Sequence, residues 1–454
     1  MRAQPLSSGG GAGQGGRMPR LFLLLLSLAA LIGAAPFEPP RVGTRTVYRH
    51  AALIDGTGAP LRPDMAVVTD GERIVAVVPD KALSAAQLAG ARQVDLSGRF
   101  LLPGLIDSHQ HLATPPDRPA AETSLRRALY SGVTVVRDMA DDLRQVGDLA
   151  RAARVGEAAS PDIYYAALMA GPSFFADVRT QAAALGAEAG KVPWMRAVDA
   201  GTDLRLAVAE ARGTSASAIK IYANLPAPTV AAIVAEAHRQ GVPAWAHGMV
   251  FPATPAEVVG AGADSVSHVC YLAYQAMARR PDSYQNRFPI DASLFEHDNP
   301  AMARLYAEMR RRGTILDATL FVYVRVEAEA KQAGKPPLCT VDLAARLAGQ
   351  AYRAGVTIAA GTDSETPPGE PWPALFAEIE LLGRAGLPPL AAIEAATLNG
   401  ARAANQARDM GSVEPGKLAN LAVLERNPLE SLANMRSVVM TVKRGRLFRR
   451  ADYR

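Results

Sequence analysis

From residue 103 to residue 404, short apolar runs alternate with Ala- and Arg-rich stretches of helical period. The runs Leu105–Ser108, Thr134–Arg137, Ile163–Ala167, Ala218–Tyr222, Pro243–Ala246, Asp264–Ser267, Thr314–Ala318 and Thr357–Ala360 predict eight strands. Between them, Ala121–Tyr130, Thr229–Arg239, Ala301–Arg311 and Val341–Ala354 predict helices. Gly132, Gly241, Gly262, Gly313 and Gly355 each stand just before a predicted strand, where a helix-terminating glycine belongs. Strands that alternate with helices form a parallel sheet, and eight of them close a barrel. The predicted fold class is α/β, with a (β/α)8 TIM barrel over residues 103–410.

The flanks have a different texture. Val47–Ile54 runs into the turn Asp55-Gly56-Thr57-Gly58, and Met65–Thr69 and Arg73–Val78 are joined by Asp70-Gly71. Val94–Leu96 and Gly98–Leu102 follow, and strand character returns at Leu418–Leu424 and Val438–Phe448. The late strands have no barrel position left. Residues 47–102 and 411–450 are therefore expected to build one small β-sandwich domain from both chain ends. The longest break in the alternation, Tyr271–Asn299, is polar and aperiodic. It follows the sixth strand, so it is expected at the catalytic face of the barrel as a lid or substrate loop.

Composition narrows the class. The 454 residues are 49% hydrophobic and 20% charged, an ordinary globular balance. Residues 1–35 read as a leader and a signal peptide spanning about residues 18–35. A Gly/Ser-rich stretch precedes Met18, and Arg20, the apolar run Leu21–Ile32 and Gly33-Ala34-Ala35 follow. That run falls short of the roughly 20 residues a spanning helix needs. The expectation is a secreted or periplasmic protein with no stable membrane span after cleavage, an uncleaved N-terminal anchor being the alternative. Removing Arg2, Arg17 and Arg20 lowers the net charge from +5 to +2. No basic stripe with interleaved aromatics is present, which argues against nucleic acid as a partner. Lys443-Arg444-Gly445-Arg446, followed by Arg449-Arg450, reads as a solvated strand end. Cys270 and Cys339 either pair in an exported protein or remain separate thiols, and neither sits in a metal-binding cysteine pattern.

The chemistry lies at strand ends. In Asp107-Ser108-His109-Gln110-His111 the two histidines are one residue apart, so a strand aims both to the same side. Neutral imidazoles so placed can bind one metal ion. Lys220 sits among apolar neighbours in the fourth strand, where an unpaired ammonium is costly. His247, His268 and Asp363 follow the fifth, sixth and eighth strands. These are the carboxyl ends on which barrel active sites are built. His50 and His238 read as structural, His297 as a surface residue with substrate contact as the alternative, Arg137 and Asp138 as a structural ion pair under the site with substrate contact as the alternative, and Glu365 as solvated or capping.

With these residues in place, the chain resembles the amidohydrolase superfamily, in its imidazolonepropionase-like and prolidase-like dipeptidase branch. The resemblance spans Val47 to Phe448. It rests on Asp55-Gly56-Thr57-Gly58, Pro103-Gly104-Leu105-Ile106-Asp107-Ser108-His109-Gln110-His111 and Gly132-Val133-Thr134-Val135-Val136-Arg137-Asp138. It rests further on Ala360-Gly361-Thr362-Asp363, Ala396-Thr397-Leu398-Asn399-Gly400-Ala401 and Gly411 to Leu421.

It implies two divalent metal ions. His109, His111 and Asp363 would hold one, His247 and His268 the other, and a carboxylated Lys220 would bridge them. Zn2+ suits the histidine-rich set. Imidazolonepropionase itself uses one metal and no bridging lysine, so Lys220 points to the dipeptidase-like branch. The loop Ile221 to Pro226 departs from the glycine-rich loop usual there. The resemblance further implies a metal-bridging hydroxide, with Asp363 as proton shuttle and Tyr222 as a candidate helper of the oxyanion. The expected reaction is hydrolysis of a C–N amide bond in a small molecule such as a dipeptide or N-acyl amino acid. Ring opening of a cyclic amide, lactone or imidazolone, mononuclear deamination, and metal binding without catalysis are the alternatives. Self-association is left open.

Overall fold

The computed structural model describes residues 37–42, 45–367 and 369–454. The predicted leader and signal peptide lie outside the described residues. Eight parallel strands form the barrel: Leu105–Gln110, Val133–Asp138, Asp162–Ala170, Ala218–Ile221, Ala244–His247, Ser265–Ser267, Ile315–Asp317 and Ile358–Ala359. They are called strands one to eight below. Each pairs in parallel with the next from the first to the eighth. The eighth returns to the first through Ser108 N–H to the Ala360 carbonyl and Asp363 N–H to the His109 carbonyl, both 2.9 Å. The buried carboxylate of Asp107 adds to this seam, accepting from the Thr362 backbone N–H at 3.0 Å and the Thr362 hydroxyl at 2.9 Å.

The strands are apolar because both of their faces are buried. Helices such as Ala227–Arg239 and Val341–Arg353 bury a stripe of Val, Ile, Leu and Ala against them. Pro300–Arg312 stops at Gly313, whose φ of 75° is open to glycine at no steric cost.

Strands from both chain ends join in one unit, as the sequence predicts, and they form a single mixed sheet. Val438–Lys443 lies between Arg446–Arg449 and Leu421–Leu424, and Leu421–Leu424 pairs antiparallel with Phe100–Pro103. The ladder then runs without interruption through Arg45–Leu53, Arg62–Asp70 and Arg73–Pro79. One face packs Tyr48, Leu53, Val67, Leu101, Leu421 and Val442 together.

Two expectations are corrected. Lys443 and Arg444 do not form a solvated strand end; each is 5% exposed. Both close on Asp162, the first residue of strand three, Lys443 Nζ at 2.9 Å and an Arg444 guanidinium nitrogen at 2.7 Å. Lys443 also donates to the carbonyls of Ala153 and Ser160 at 2.8 Å. Arg137 and Asp138 are not paired with each other. As neighbours on a strand they face opposite sides, and Arg137 turns into the barrel, where it donates to Asp317 at 3.2 Å. Of the two open readings of Cys270 and Cys339, the structure has the pair: they form a disulfide.

Candidate active site at the barrel mouth

Asp363 is the centre of the strand ends. Its Oδ1 lies 3.3 Å from His111 Nε2 and 3.5 Å from His109 Nε2, and its Oδ2 lies 3.6 Å from His268 Nδ1. His109, His268 and Asp363 each offer an atom within 4.8 Å of the others. The rings of His247 and His268 meet edge to face at 4.8 Å. Lys220 is fully buried, and its Nζ donates to Ser267 Oγ at 3.2 Å. All five strand-end residues and Lys220 therefore converge on one mouth.

Supporting groups hold these side chains in place. His109 Nδ1 donates to Asp317 at 2.7 Å and His111 Nδ1 to Asp141 at 2.7 Å. Such bonds fix the tautomer and aim the other ring nitrogen, here toward Asp363. His268 Nδ1 lies 2.9 Å from Thr319 Oγ1. Asp317 also accepts from Ser267 Oγ at 3.0 Å and from Arg137. The Arg137 guanidinium lies under the site, 4.4 Å from the Trp245 ring centroid. Gly361 is forced by closeness: a Cβ there would stand 2.2 Å from an Asp317 carboxylate oxygen. His268, Thr319 and Asp363 have φ values of 72°, 50° and 45°. Backbone strain of this kind gathers where side chains must be aimed.

The electrostatics suit a cation. Burial pushes the His268 imidazole down to about 3 and the Lys220 ammonium down to about 7. Burial likewise holds His247 well below its ordinary range, with the Lys220 charge adding to the effect. Burial also lowers His109, outweighing Asp363 and Asp317. Burial alone would raise Asp363; His109, His111 and His268 more than offset it, so it stays ionised. His247 Nδ1 is buried and has no hydrogen-bond partner among the described residues. Burial alone would lower His111; Asp141 and Asp363 outweigh it and hold it well above its ordinary value, so it must shed a proton to ligate. His109, His247 and His268, kept neutral around a carboxylate and one of them with an unused buried nitrogen, are donors a divalent ion takes.

Aromatic residues line the wall above His247. The Tyr222 ring lies 3.9 Å from the His247 ring and stacks on Phe174 at 4.5 Å. Tyr222 therefore faces the mouth and not the helix layer. The 271–299 segment contributes Tyr271 and Tyr284, with ring centroids 5.4 and 6.0 Å from that of His247. Arg287 lies over the Tyr284 ring at 3.4 Å. Burial alone would raise the Tyr284 phenol; Arg287 and Arg179 outweigh it and hold it below its ordinary value.

Asp317, Asp141 and Thr319 escaped the sequence reading. Asp317 had a signal, being the one charge in Ile315-Leu316-Asp317-Ala318. Like Lys220, it is a charge among apolar neighbours in a buried strand. The other histidines lie elsewhere. His238 pairs with Asp264 at 2.8 Å, His50 sits beside Asp64 at 2.9 Å, and His297 is exposed, as is Glu365.

Comparison with known proteins agrees with this geometry. The model of a family described as "Amidohydrolase family" matches residues 100–448. An imidazolonepropionase from Arthrobacter sp. (strain FB24) is 36% identical over 148 residues, 31% of this chain. The match covers 36% of that relative, so the chain spans only about a third of its length. A Xaa-Pro dipeptidase solved with methionine in its active site superposes with a TM-score of 0.69 at 23% identity, covering 89% of this chain and 100% of that one. The A. niger ochratoxinase gives 0.70 at 23% identity, covering 90% and 96%. At that identity the two structures establish the fold.

Proposed function

We propose, from the premise that this chain belongs to the amidohydrolase family and is a metal-dependent hydrolase of C–N bonds, that it cleaves an amide in a dipeptide, an N-acyl amino acid or a similar small molecule. The observation that carries the reading is the convergence of His109, His111 and His268 on Asp363 within 3.6 Å. His109, His111 and Asp363 would hold one divalent ion, and His247 and His268 a second. Lys220, carboxylated on Nζ, would lie between them. Burial draws the Lys220 ammonium down to about 7, so a substantial share is free amine near neutrality, the form that adds CO2. As a carbamate it would also supply an anionic ligand beside the histidines.

Ions bound there would polarise the scissile carbonyl and lower the pKa of the attacking water. The protein's own part is positional and protolytic. Asp363, kept ionised by its histidines, takes the proton of the attacking water and delivers it to the leaving nitrogen. Asp317 and Asp141 hold His109 and His111 in register through that transfer. Burial holds the Tyr222 phenol protonated. It can therefore donate to an oxygen that gains charge beside His247.

The test is metal content by elemental analysis, after purification without chelator, for the wild type and Lys220→Ala. Two ions per chain, falling to one or none in the variant, is the expected result. One ion in both would end the bridging role of Lys220 and favour mononuclear ring opening or deamination.

We also assign the protein to the periplasm or the exterior. The leader and signal-like segment support this, and so does the Cys270–Cys339 disulfide, since such bonds persist in oxidising compartments. Among the described residues no helix is long and apolar enough to cross a membrane.

A further inference from the structure

Two arginines reach the mouth, and only one of them has a carboxylate partner. Arg179 donates to both oxygens of Asp177, at 3.0 and 2.7 Å, and its remaining bonds go to the phenols of Tyr222 and Tyr284 at 3.4 and 3.2 Å. Arg287 differs. Its Nε donates to the Tyr284 carbonyl at 2.5 Å, and one terminal nitrogen donates to the Tyr271 hydroxyl. Its other terminal nitrogen donates to nothing among the described residues. No carboxylate there lies within 4.0 Å of it; Asp177, the acid whose charge reaches it, is already committed to Arg179. The guanidinium is half-buried against Tyr284, which in turn packs on His247. A half-buried, always-charged group with an open donor face, one ring away from a proposed metal ligand, is placed to receive an anion.

We propose that Arg287 binds the carboxylate of the substrate, so that the enzyme takes amides carrying a free carboxylate next to the scissile bond, with an apolar group against Phe174, Tyr222 and Tyr284. This rests on the amide-hydrolase reading above and adds the substrate's charge and the residue that reads it. Asp177 neutralises Arg179 and leaves Arg287 as the uncompensated cation. The planar fork of arginine matches a carboxylate with two parallel N–H bonds, and the ring beneath Arg287 fixes its plane.

Two probes isolate the interaction. One is the ketomethylene isostere of N-acetyl-L-phenylalanine, in which CH2 replaces the amide NH and nothing can be cleaved. The other is the same ketone without its carboxylate. Their affinities are measured by calorimetry on the metal-loaded full chain, for wild type, Arg287→Met and Arg287→Lys. Arg287→Met is expected to weaken the carboxylate probe by about 10- to 100-fold, the size of a charge-assisted contact. The neutral ketone should change by less than about twofold, and Arg287→Lys should recover part of the loss. Unchanged circular dichroism and metal content guard against a folding defect.

Equal binding of the carboxylate probe to wild type and Arg287→Met overturns the proposal. So does a wild type that fails to prefer the carboxylate, or binds neither probe. Hydrolysis of N-acetyl-L-phenylalanine is followed separately. Turnover without a carboxylate preference leaves the hydrolase reading standing and removes Arg287 from it. Carboxylate-selective binding without turnover of any amide does the reverse.

Discussion

At Asp363 one carboxylate answers to three imidazoles, and its removal separates proton transfer from binding. Asp363→Asn keeps the size of the side chain and loses the base. Turnover should fall by about 10^2- to 10^4-fold, the usual share of a positioned acid–base group. A protein that only binds metal and ligand would keep its ligand affinity in this variant, which calorimetry with the ketone probe reports. Asp317→Asn acts one bond further out, leaving His109 without its anionic orienter. Metal affinity, read by competition with a chromophoric chelator, should drop by about 10- to 100-fold. How much of the site could be seen beforehand follows from the same chemistry. His109 and His111 advertise themselves by spacing and Lys220 by its apolar neighbours. Asp141 and Thr319 sit in loops with no period to betray them, and they acquire meaning only when strands far apart in sequence come side by side. The open face of Arg287 depends on where Asp177 and Tyr284 land, which no local pattern records.

The strands and helices were readable because each carries its own period and stop signal, down to the glycines that end the helices. The tie between the two sheets was not. Arg444 meets Asp162 across 282 residues, and a run of basic residues looks solvated until its acid is known. That tie is a buried charge cluster: Asp162, Lys443 and Arg444 are all about 5% exposed. Asp162→Asn would strand Lys443 in a place with little water and leave Arg444 only its ion pair with Glu72. Losing one member of such a cluster costs about 3–5 kcal/mol. Denaturant melts should show that loss, with the metal content of the folded fraction unchanged because the cluster belongs to the amino end of strand three, opposite the mouth. A variant as stable as wild type would mean that water reaches Lys443 and Arg444 after all.

On the scale of the molecule, the disulfide and the shared sheet link distant parts of the chain. Cys270 stands two residues after His268, and its bond to Cys339 spans 69 residues of sequence, enclosing the segment that supplies Tyr271, Tyr284 and Arg287. Cross-linking a loop of that size restricts the unfolded chain by about 4 kcal/mol in the loop-entropy view. A Cys270→Ser, Cys339→Ser double variant should therefore melt at lower temperature. Its affinity for the carboxylate probe should also fall, because the segment that carries Arg287 loses an anchor at each end. The shared sheet has a consequence for how the protein is made. Phe100–Pro103 pairs early with Arg45–Leu53 but finds its other neighbour in Leu421–Leu424, so a ribosome has passed the whole barrel before that neighbour exists. Throughout synthesis the nascent chain carries an open strand edge, the kind of edge on which chains stick to one another. A message cut short before codon 421 would yield a product with all of the proposed catalytic residues and a permanently open seam. Such a product is a substrate for chaperones and proteases rather than a smaller enzyme.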